Sequence, residues 1–169
     1  MNEPKTKAKQ GPKPKPTGLD RPSTLKIIKV MSAVHTKMYR VTGGRLGKKW
    51  RIGSAVRKGV PICLVTTIGR KSGQPRTAPL CFMADGERII LVASQGGTPT
   101  NPQWYYNILA NPGVEVRIGR RTQSMSAHAA NADERAVLWP RLVELYADYA
   151  SYQSWTDREI PVVICEPAA

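Results

Sequence analysis

The residues best suited to chemistry lie in a short basic segment, GRKSGQPR, which stands between two apolar runs. Arg70, Lys71 and Arg76 occur there with two glycines, one proline and no acidic residue. Cations this close repel each other unless a negative group lies among them. Glycine lets the backbone approach a ligand, and the guanidinium fork of arginine fits phosphate and carboxylate oxygens. The segment therefore predicts an anion-binding loop, with a solvated turn as the alternative.

A run of aromatic residues is the second chemical signal. Phenylalanine occurs once, whereas the chain has six tyrosines and four tryptophans. Tyr146, Tyr149, Tyr152 and Trp155 recur at every third residue. Their rings offer flat apolar contact, and tyrosine hydroxyls can hydrogen-bond or deliver a proton. The run predicts either a wall beside a flat ring system or ordinary core packing.

The familiar catalytic motifs are missing from the sequence. The two histidines, His35 and His128, are far apart, and no HExxH or CxxC motif supports a metal site. Neither G-x-S-x-G nor a phosphate-binding G-x-G-x-x-G is present, and GRKSG lacks the Walker spacing. The scattered cysteines Cys63, Cys81 and Cys165 read as small core residues of a reduced, cytoplasmic protein.

The positive charge is concentrated at the start of the chain. The net charge is +14, and residues 1–60 hold 16 Lys and Arg but only two acids. This concentration of positive charge favours an anionic partner. The candidates are nucleic acid, anionic lipid, and a small molecule with phosphate or carboxylate groups. Nucleic acid is disfavoured, because the basic tail has no interleaved aromatic residues and residues 61–169 hold as many acidic as basic residues.

The chain divides into a tail, a helix and a barrel. Residues 1–22 are basic and proline-rich, which predicts a disordered tail. Residues 23–42 predict a basic amphipathic helix capped by Ser23, with an apolar stripe that docks either on the core or on an anionic membrane. No stretch of about 18 apolar residues could span a bilayer, and no signal peptide is evident. A cytoplasmic protein is expected, with peripheral contact to the inner face of the cell membrane as an extension.

Residues 43–169 predict a mainly β domain. Six apolar runs read as strands joined mostly by hairpins, with Asp85-Gly86 and Gly119 at turns. Helices are expected over QWYYNILA, after Asn101 as N-cap, and over residues 132–150, where Pro140 should kink or restart the helix. A second glycine-rich turn, SQGGTPTNP, follows the hairpin, so two loops could hold the ends of one long ligand. We expect an antiparallel barrel of the α+β type with helical insertions.

Three segments resemble the deazaflavin (F420)-dependent nitroreductases of mycobacteria and related actinobacteria. They are TTIGRKSGQPRTAPL, LVASQGGTPTNPQWYYNILANP and YASYQSWTDREIPVVICEP, and they occur in the family's order within about residues 23–167. The resemblance implies a split β-barrel like that of FMN-binding flavin reductases. It also implies reduced coenzyme F420, a deazaflavin with a phosphate and a polyglutamate tail. Those anionic groups would neutralise the basic segment.

The resemblance also implies the residues of a site. The cofactor positions would be Arg70, Lys71, Arg76, Ser94, Gln95, Gly96, Asn101 and Trp104. The substrate wall would consist of Cys81, Tyr146, Tyr149 and Tyr152, with Tyr149 or Tyr152, or else solvent, supplying a proton. Relatives have a lysine where this chain has Gln95 and a tyrosine where it has Cys81, so one cation and one aromatic ring are replaced.

The expected function is that of an F420H2-dependent oxidoreductase. It would transfer a hydride from the reduced deazaflavin to an electron-poor acceptor, such as a quinone, an activated enone or a nitroaromatic compound. One alternative is an FMN-dependent reductase on the same barrel. The other is a non-enzymatic protein that uses the basic first third to bind nucleic acid or an anionic membrane.

Overall fold

The computed structural model describes residues 13–18 and 21–168 of the chain. Most of the predicted tail, residues 1–12 with 19 and 20, lies outside the described residues. Within them, four helices are present: α1 Pro22–Val41, α2 Gln103–Ala110, α3 Ala132–Leu145 and α4 Asp148–Ser154. The strands are β1 Lys49–Trp50, β2 Val60–Ile68, β3 Pro75–Asp85, β4 Arg88–Val92, β5 Gly113–Ile118, β6 Arg121–Ala129 and β7 Val162–Pro167.

Six of these strands close into an antiparallel barrel. They follow the order β2-β3-β4-β7-β6-β5, and β5 pairs back with β2, so that Val65 lies opposite Val116. The short strand β1 pairs with the start of β2, outside the ring. The hairpins at Gly86 and Gly119 are present, and both glycines have positive φ. The antiparallel barrel with helical insertions that the sequence predicts is confirmed.

Strand β2 is apolar along most of its length because both of its faces are covered. Cys63 and Val65 point into the barrel core, whereas Ile62 and Leu64 pack beneath α1 on the outside. A strand buried on both faces reads as a continuous apolar run rather than an alternating one. The outer faces of β4 and β7 are covered in the same way by α3 and α4. These two helices thereby bring the tyrosine run onto the barrel wall.

Helix α3 departs from the prediction at its end. It starts in a capping box in which Asn131 and Glu134 exchange hydrogen bonds, and it continues past Pro140 to Leu145. Because proline has no amide hydrogen, the Ala136 carbonyl lacks its usual helical donor. Both Pro140 and Ala136 are exposed, so water can donate to that carbonyl instead. The expected restart of the helix at Pro140 is therefore wrong. The helix ends at Tyr146, where the backbone is extended, and α4 follows.

The helix starts also differ from the prediction in their caps. Arg21, not Ser23, is the N-cap of α1, because Pro22 with its fixed φ occupies the first helical position. Asn101 likewise does not cap α2, whose N-cap is Pro102. The side chain of Asn101 is used elsewhere, as described below.

Helix α1 is held to the barrel by polar contacts rather than by its apolar stripe. The Tyr39 hydroxyl accepts a hydrogen bond from the Gly119 amide at 2.8 Å and donates one to the Ile62 carbonyl at 3.2 Å. The stripe stays exposed instead: Met31 is 64% and Val34 is 59% exposed. Docking of the stripe on the core of the same chain is thus not what the structure shows. Within the described residues, no helix is long and apolar enough to cross a membrane.

Candidate functional site

The basic segment, residues 69–76, forms the tight connection between β2 and β3. The turn is closed by hydrogen bonds from Gly69 N to the Gln74 carbonyl at 2.9 Å and from Gly73 N to the Gly69 carbonyl at 2.7 Å. Gly73 has φ 67°, a left-handed conformation that glycine adopts without strain. All three cations predicted to bind the cofactor, Arg70, Lys71 and Arg76, are exposed.

Helix α2 orients this segment through Arg70. The Arg70 amide donates to Asn107 Oδ1 at 3.2 Å, and its guanidinium donates to Gln103 Oε1 at 3.0 Å while lying over the Tyr106 ring. Asn107 is fixed in turn by its hydrogen bond to Thr67. Among the described residues, no carboxylate lies within 4.0 Å of any of the three cations. Their charge remains open to an anionic ligand.

A second loop, residues 94–101, lies between β4 and α2 and is called here the glycine-rich loop. Gln95, Gly96 and Gly97 all have positive φ, at 45°, 66° and 77°. The left-handed conformation costs a residue with a side chain about 1–2 kcal/mol. Gly97 is needed because a Cβ there would lie 2.8 Å from the Tyr152 carbonyl oxygen. Space is open beside Gly96, so a flat ligand could approach the backbone there.

Arg158, which the sequence did not single out, holds this loop. Its Nε donates to the Thr98 carbonyl at 3.0 Å, and its Nη1 donates to Asn101 Oδ1 at 2.6 Å. Its Nη2 donates to the carbonyls of Ser94 at 2.8 Å and Ala93 at 3.3 Å. Burial lowers the pKa of the guanidinium. Arg158 and the loop are about 60 residues apart, so residue type and spacing gave no signal of the contact.

The tyrosine cluster, defined as Tyr146, Tyr149 and Tyr152, is compact. The Tyr146 hydroxyl is 3.0 Å from that of Tyr152 and accepts a hydrogen bond from Trp50 Nε1 at 3.2 Å. The rings of Tyr146 and Tyr149 meet edge to face, with centroids 5.0 Å apart. Tyr149 is only 4% exposed, and its hydroxyl has no hydrogen-bond partner among the described residues. Cys81 packs against this cluster from β3.

Burial fixes the protonation states in the cluster. It raises the pKa of Tyr152, and it raises those of Tyr146 and Tyr149 as well. The phenols are therefore neutral near pH 7 and can donate hydrogen bonds, and the raised pKa makes each of them a weaker acid than an exposed tyrosine. Burial also raises the pKa of Cys81 to about 12, which keeps it a thiol and a weak nucleophile.

Lys13, in the described part of the predicted tail, lies against α4 beside the cluster. Its ammonium group is 2.9 Å from Asp148 Oδ1, and its backbone bonds to Ser151 and Trp155. Ser54 N donates to Asp148 Oδ2 at 3.0 Å. Burial alone would raise the Asp148 pKa, but the hydrogen bonds from Lys13 and Ser54 outweigh it, so the pKa is lowered. Sequence reasoning missed this ion pair, because its partners are 135 residues apart.

The structure links the predicted pieces through α2 and α4. Arg70 contacts the first turn of α2, the glycine-rich loop enters that same turn, and Gly97 packs on the backbone of Tyr152. Trp104 packs on the barrel core from α2. A separate cavity of about 290 Å³ shares no residue with this site. Its lining is Arg40, Leu64, Thr66, Thr77, Glu115, Arg117 and Thr122.

The site suits an elongated anionic ligand with a flat ring. The basic segment offers exposed cations and the glycine-rich loop offers open backbone at Gly96, whereas in the tyrosine cluster only Tyr152 is partly exposed and the rings of Tyr146 and Tyr149 are buried. The described residues contain no group of three or more His, Cys, Asp and Glu side chains arranged to hold a metal ion. The donor set therefore fits a phosphate- or carboxylate-bearing aromatic molecule.

Comparisons with known proteins agree on one family. A family model described as F420H(2)-dependent quinone reductase matches residues 31–167. F420H(2)-dependent quinone reductase Rv1261c of Mycobacterium tuberculosis is 40% identical over 134 residues, covering 78% of this chain and 86% of the relative. Rv3178 of the same organism is 47% identical over 117 residues, covering 69% of this chain and 98% of its own length.

Solved structures support the same grouping. The F420-H2 dependent reductase FDR-A is 44% identical, with a TM-score of 0.59 over 63% of this chain and 94% of its own. A second structure, described as a domain-swapped dimer, is 37% identical, with a TM-score of 0.61 over 79% of this chain and 97% of its own.

Proposed function

The chain belongs to the family of F420H(2)-dependent quinone reductases, and we propose that it transfers a hydride from reduced F420 to a quinone. The resemblance predicted from three sequence motifs is confirmed. The flavin-reductase-like barrel, the oxidoreductase class and coenzyme F420 as the cofactor are confirmed with it. Activated enones and nitroaromatic compounds are proposed as further acceptors, because they share the electron-poor centre of a quinone.

The observation that carries this proposal is the open positive charge of the basic segment, joined through α2 to the glycine-rich loop. Arg70, Lys71 and Arg76 would hold the phosphate and carboxylates of F420, since none of them has a described carboxylate partner. The glycine-rich loop would lie along the ring at Gly96, where the backbone is open, with the buried Ser94 close to it in the same loop. These residues fit the cofactor.

The chain contributes orientation, shielding and a proton. Bound F420H2 supplies the hydride, as a cofactor that carries its own redox chemistry. The tyrosine cluster would exclude water from the acceptor and present a flat wall to it. Tyr149 is our candidate proton donor, because its neutral hydroxyl has no described hydrogen-bond partner. Tyr152 is the second candidate, although its hydroxyl is already bonded to that of Tyr146.

A fluorescence titration with oxidised F420 tests the cofactor site. Replacing Arg70 and Lys71 together by alanine should raise the dissociation constant at least about tenfold, because two charge-assisted contacts are lost. The double variant Arg120→Ala, Arg121→Ala removes the same charge from the exposed β5–β6 turn and should leave binding nearly unchanged. Equal effects of the two double variants would refute the site. Binding of FMN but not F420 would favour an FMN-dependent reductase.

We further propose that α1 rests on an anionic membrane surface, which would bring the enzyme to lipid-soluble quinones. The helix has an exposed apolar stripe that includes Met31 and Val34, and lysines but no acids along its length. An apolar stripe flanked by lysines is typical of helices that lie in a lipid interface. The whole chain would then be a peripheral protein of the inner face of the cell membrane.

Co-sedimentation with lipid vesicles tests the membrane contact. Wild-type protein should sediment with phosphatidylglycerol vesicles more than with phosphatidylcholine vesicles, and high salt should weaken the difference. The variant Val34→Asp should lose binding. Val137→Asp is the matched control, because Val137 is an equally exposed apolar residue, at 65%, on α3. Unchanged sedimentation of Val34→Asp would exclude α1 as the contact.

A further inference from the structure

Arg158 lies in the connection between α4 and β7, and its side chain crosses to the glycine-rich loop. Its four acceptors flank the turn at Gln95: the carbonyls of Ala93 and Ser94 come before it, and Thr98 and Asn101 come after. One rigid guanidinium thus fastens both ends of the three successive residues with positive φ. Lysine could not make these contacts, because its ammonium has no planar fork.

The surroundings of Arg158 indicate a geometric role rather than an ion pair. Its four acceptors are neutral oxygens, and none of the described carboxylates lies within 4.0 Å of it. Arg158 is partly buried, and its partial desolvation without a counter-ion lowers the pKa of the guanidinium. Its position is fixed from α4, since the Arg158 carbonyl accepts a hydrogen bond from Gln153 Nε2 at 2.8 Å.

The loop and the tyrosine cluster are therefore joined twice. Gly97 packs against the backbone of Tyr152, and Arg158 ties the same loop to the segment that follows α4. A shift of the loop would move the open backbone at Gly96 relative to the cluster. Such displacements matter because cofactor and acceptor must meet in a narrow range of geometry.

We propose that Arg158 is a positioning residue that sets the shape of the glycine-rich loop for cofactor binding. The effect of Arg158 on the conformation of the loop is inferred from its hydrogen bonds alone. Its effect on cofactor binding rests on the proposed function. Arg158 itself need not touch F420. Arg158 acts through the loop. Its replacement should therefore make residues 94–101 more flexible at a smaller cost to the stability of the barrel.

Hydrogen exchange of the full-length, ligand-free chain and a fluorescence titration with oxidised F420 test the proposal together. In Arg158→Gln, amides of residues 94–101 should exchange at least about tenfold faster, and the F420 dissociation constant should rise about tenfold. Arg158→Lys should show an intermediate change in the exchange rate and in the dissociation constant. This variant provides the test if Arg158→Gln does not fold.

Arg135→Gln is the matched control. Arg135 donates to the Ile160 carbonyl in the same connection and to Gln153 Oε1 in α4, but not to the glycine-rich loop. The variant Arg135→Gln should lower the free energy of unfolding. It should leave the hydrogen exchange of residues 94–101 and the affinity for F420 close to those of wild type. Unchanged loop exchange in the Arg158 variants, or exchange that rises equally in β2 and β4, would overturn the proposal. A loosened loop in a protein whose wild-type form does not bind F420 would refute the proposed function but support the role of Arg158.

Discussion

Gln95 combines two unusual features at one position. It is the one described residue other than glycine with positive φ, and the resemblance to the family implies a lysine at this position. Replacing Gln95 by lysine should tighten F420 binding about threefold and make it more salt-dependent, because the new cation is exposed to an anionic ligand. Titrations at low and high salt would measure this.

A glycine at the same position separates charge from backbone strain. Gln95→Gly relieves the left-handed conformation without adding charge, so it should raise the melting temperature slightly and leave the salt dependence unchanged. If Gln95→Lys and Gln95→Gly changed F420 affinity by the same factor, the missing cation would not explain the affinity.

Tyr149 is the residue on which proton delivery should depend. Tyr149→Phe removes the unpaired hydroxyl but keeps the ring, so kcat for quinone reduction should fall at least about tenfold while F420 affinity stays constant. Steady-state kinetics and the fluorescence titration measure the two effects. Tyr105→Phe, which also removes a hydroxyl without a described partner, is the control. An unchanged kcat in Tyr149→Phe would assign the proton to Tyr152 or to solvent.

At the scale of elements, the ion pair of Asp148 joins α4, the turn before β2 and the N-terminal segment. Because the folded-state pKa of Asp148 is below its ordinary value, its contribution to stability is present above the unfolded pKa and is lost as pH falls through the folded pKa. Asp148→Asn should therefore destabilise the protein by about 1–3 kcal/mol near pH 7.

Thermal unfolding over a range of pH would measure this effect. The difference in melting temperature between wild type and Asp148→Asn should shrink as the pH drops below about 4, where the unfolded carboxylate becomes protonated. Asp157→Asn, at an exposed position in the connection after α4, should show no such pH-dependent difference. A constant difference across the pH range would assign the loss to packing rather than to charge.

The elements that the sequence predicted are those with local signals. The hairpin turns, the apolar strands and α2 follow from glycine positions and from the hydrophobic pattern within a few residues. The break between α3 and α4 was misplaced, because the sequence does not show that Pro140 faces solvent. Arg158 and Lys13 were missed since their contacts depend on how distant segments pack. The exposed stripe of α1 could not be distinguished from a buried one by its periodicity alone.

At the scale of the whole molecule, the net charge of +14 should act on association. The field of a strongly basic chain attracts an anionic ligand and speeds its encounter, and salt screens that attraction. The association rate of F420, measured by stopped-flow fluorescence, should fall several-fold from low to high salt. A deazaflavin without the phosphate and polyglutamate tail is the control and should associate at a nearly constant rate. Equal salt dependence of both compounds would contradict electrostatic steering.

The place of β7 in the ring has a consequence for biosynthesis. Val162–Pro167 is the last described strand to leave the ribosome, yet it lies between β4 and β6 and pairs with both. Until it emerges, a nascent chain holds two unpaired strand edges, which are templates for association with other chains. Closure of the barrel must then await the synthesis of β7, and such non-local pairing is slow. The growing chain is therefore prone to association with other chains until β7 has been made.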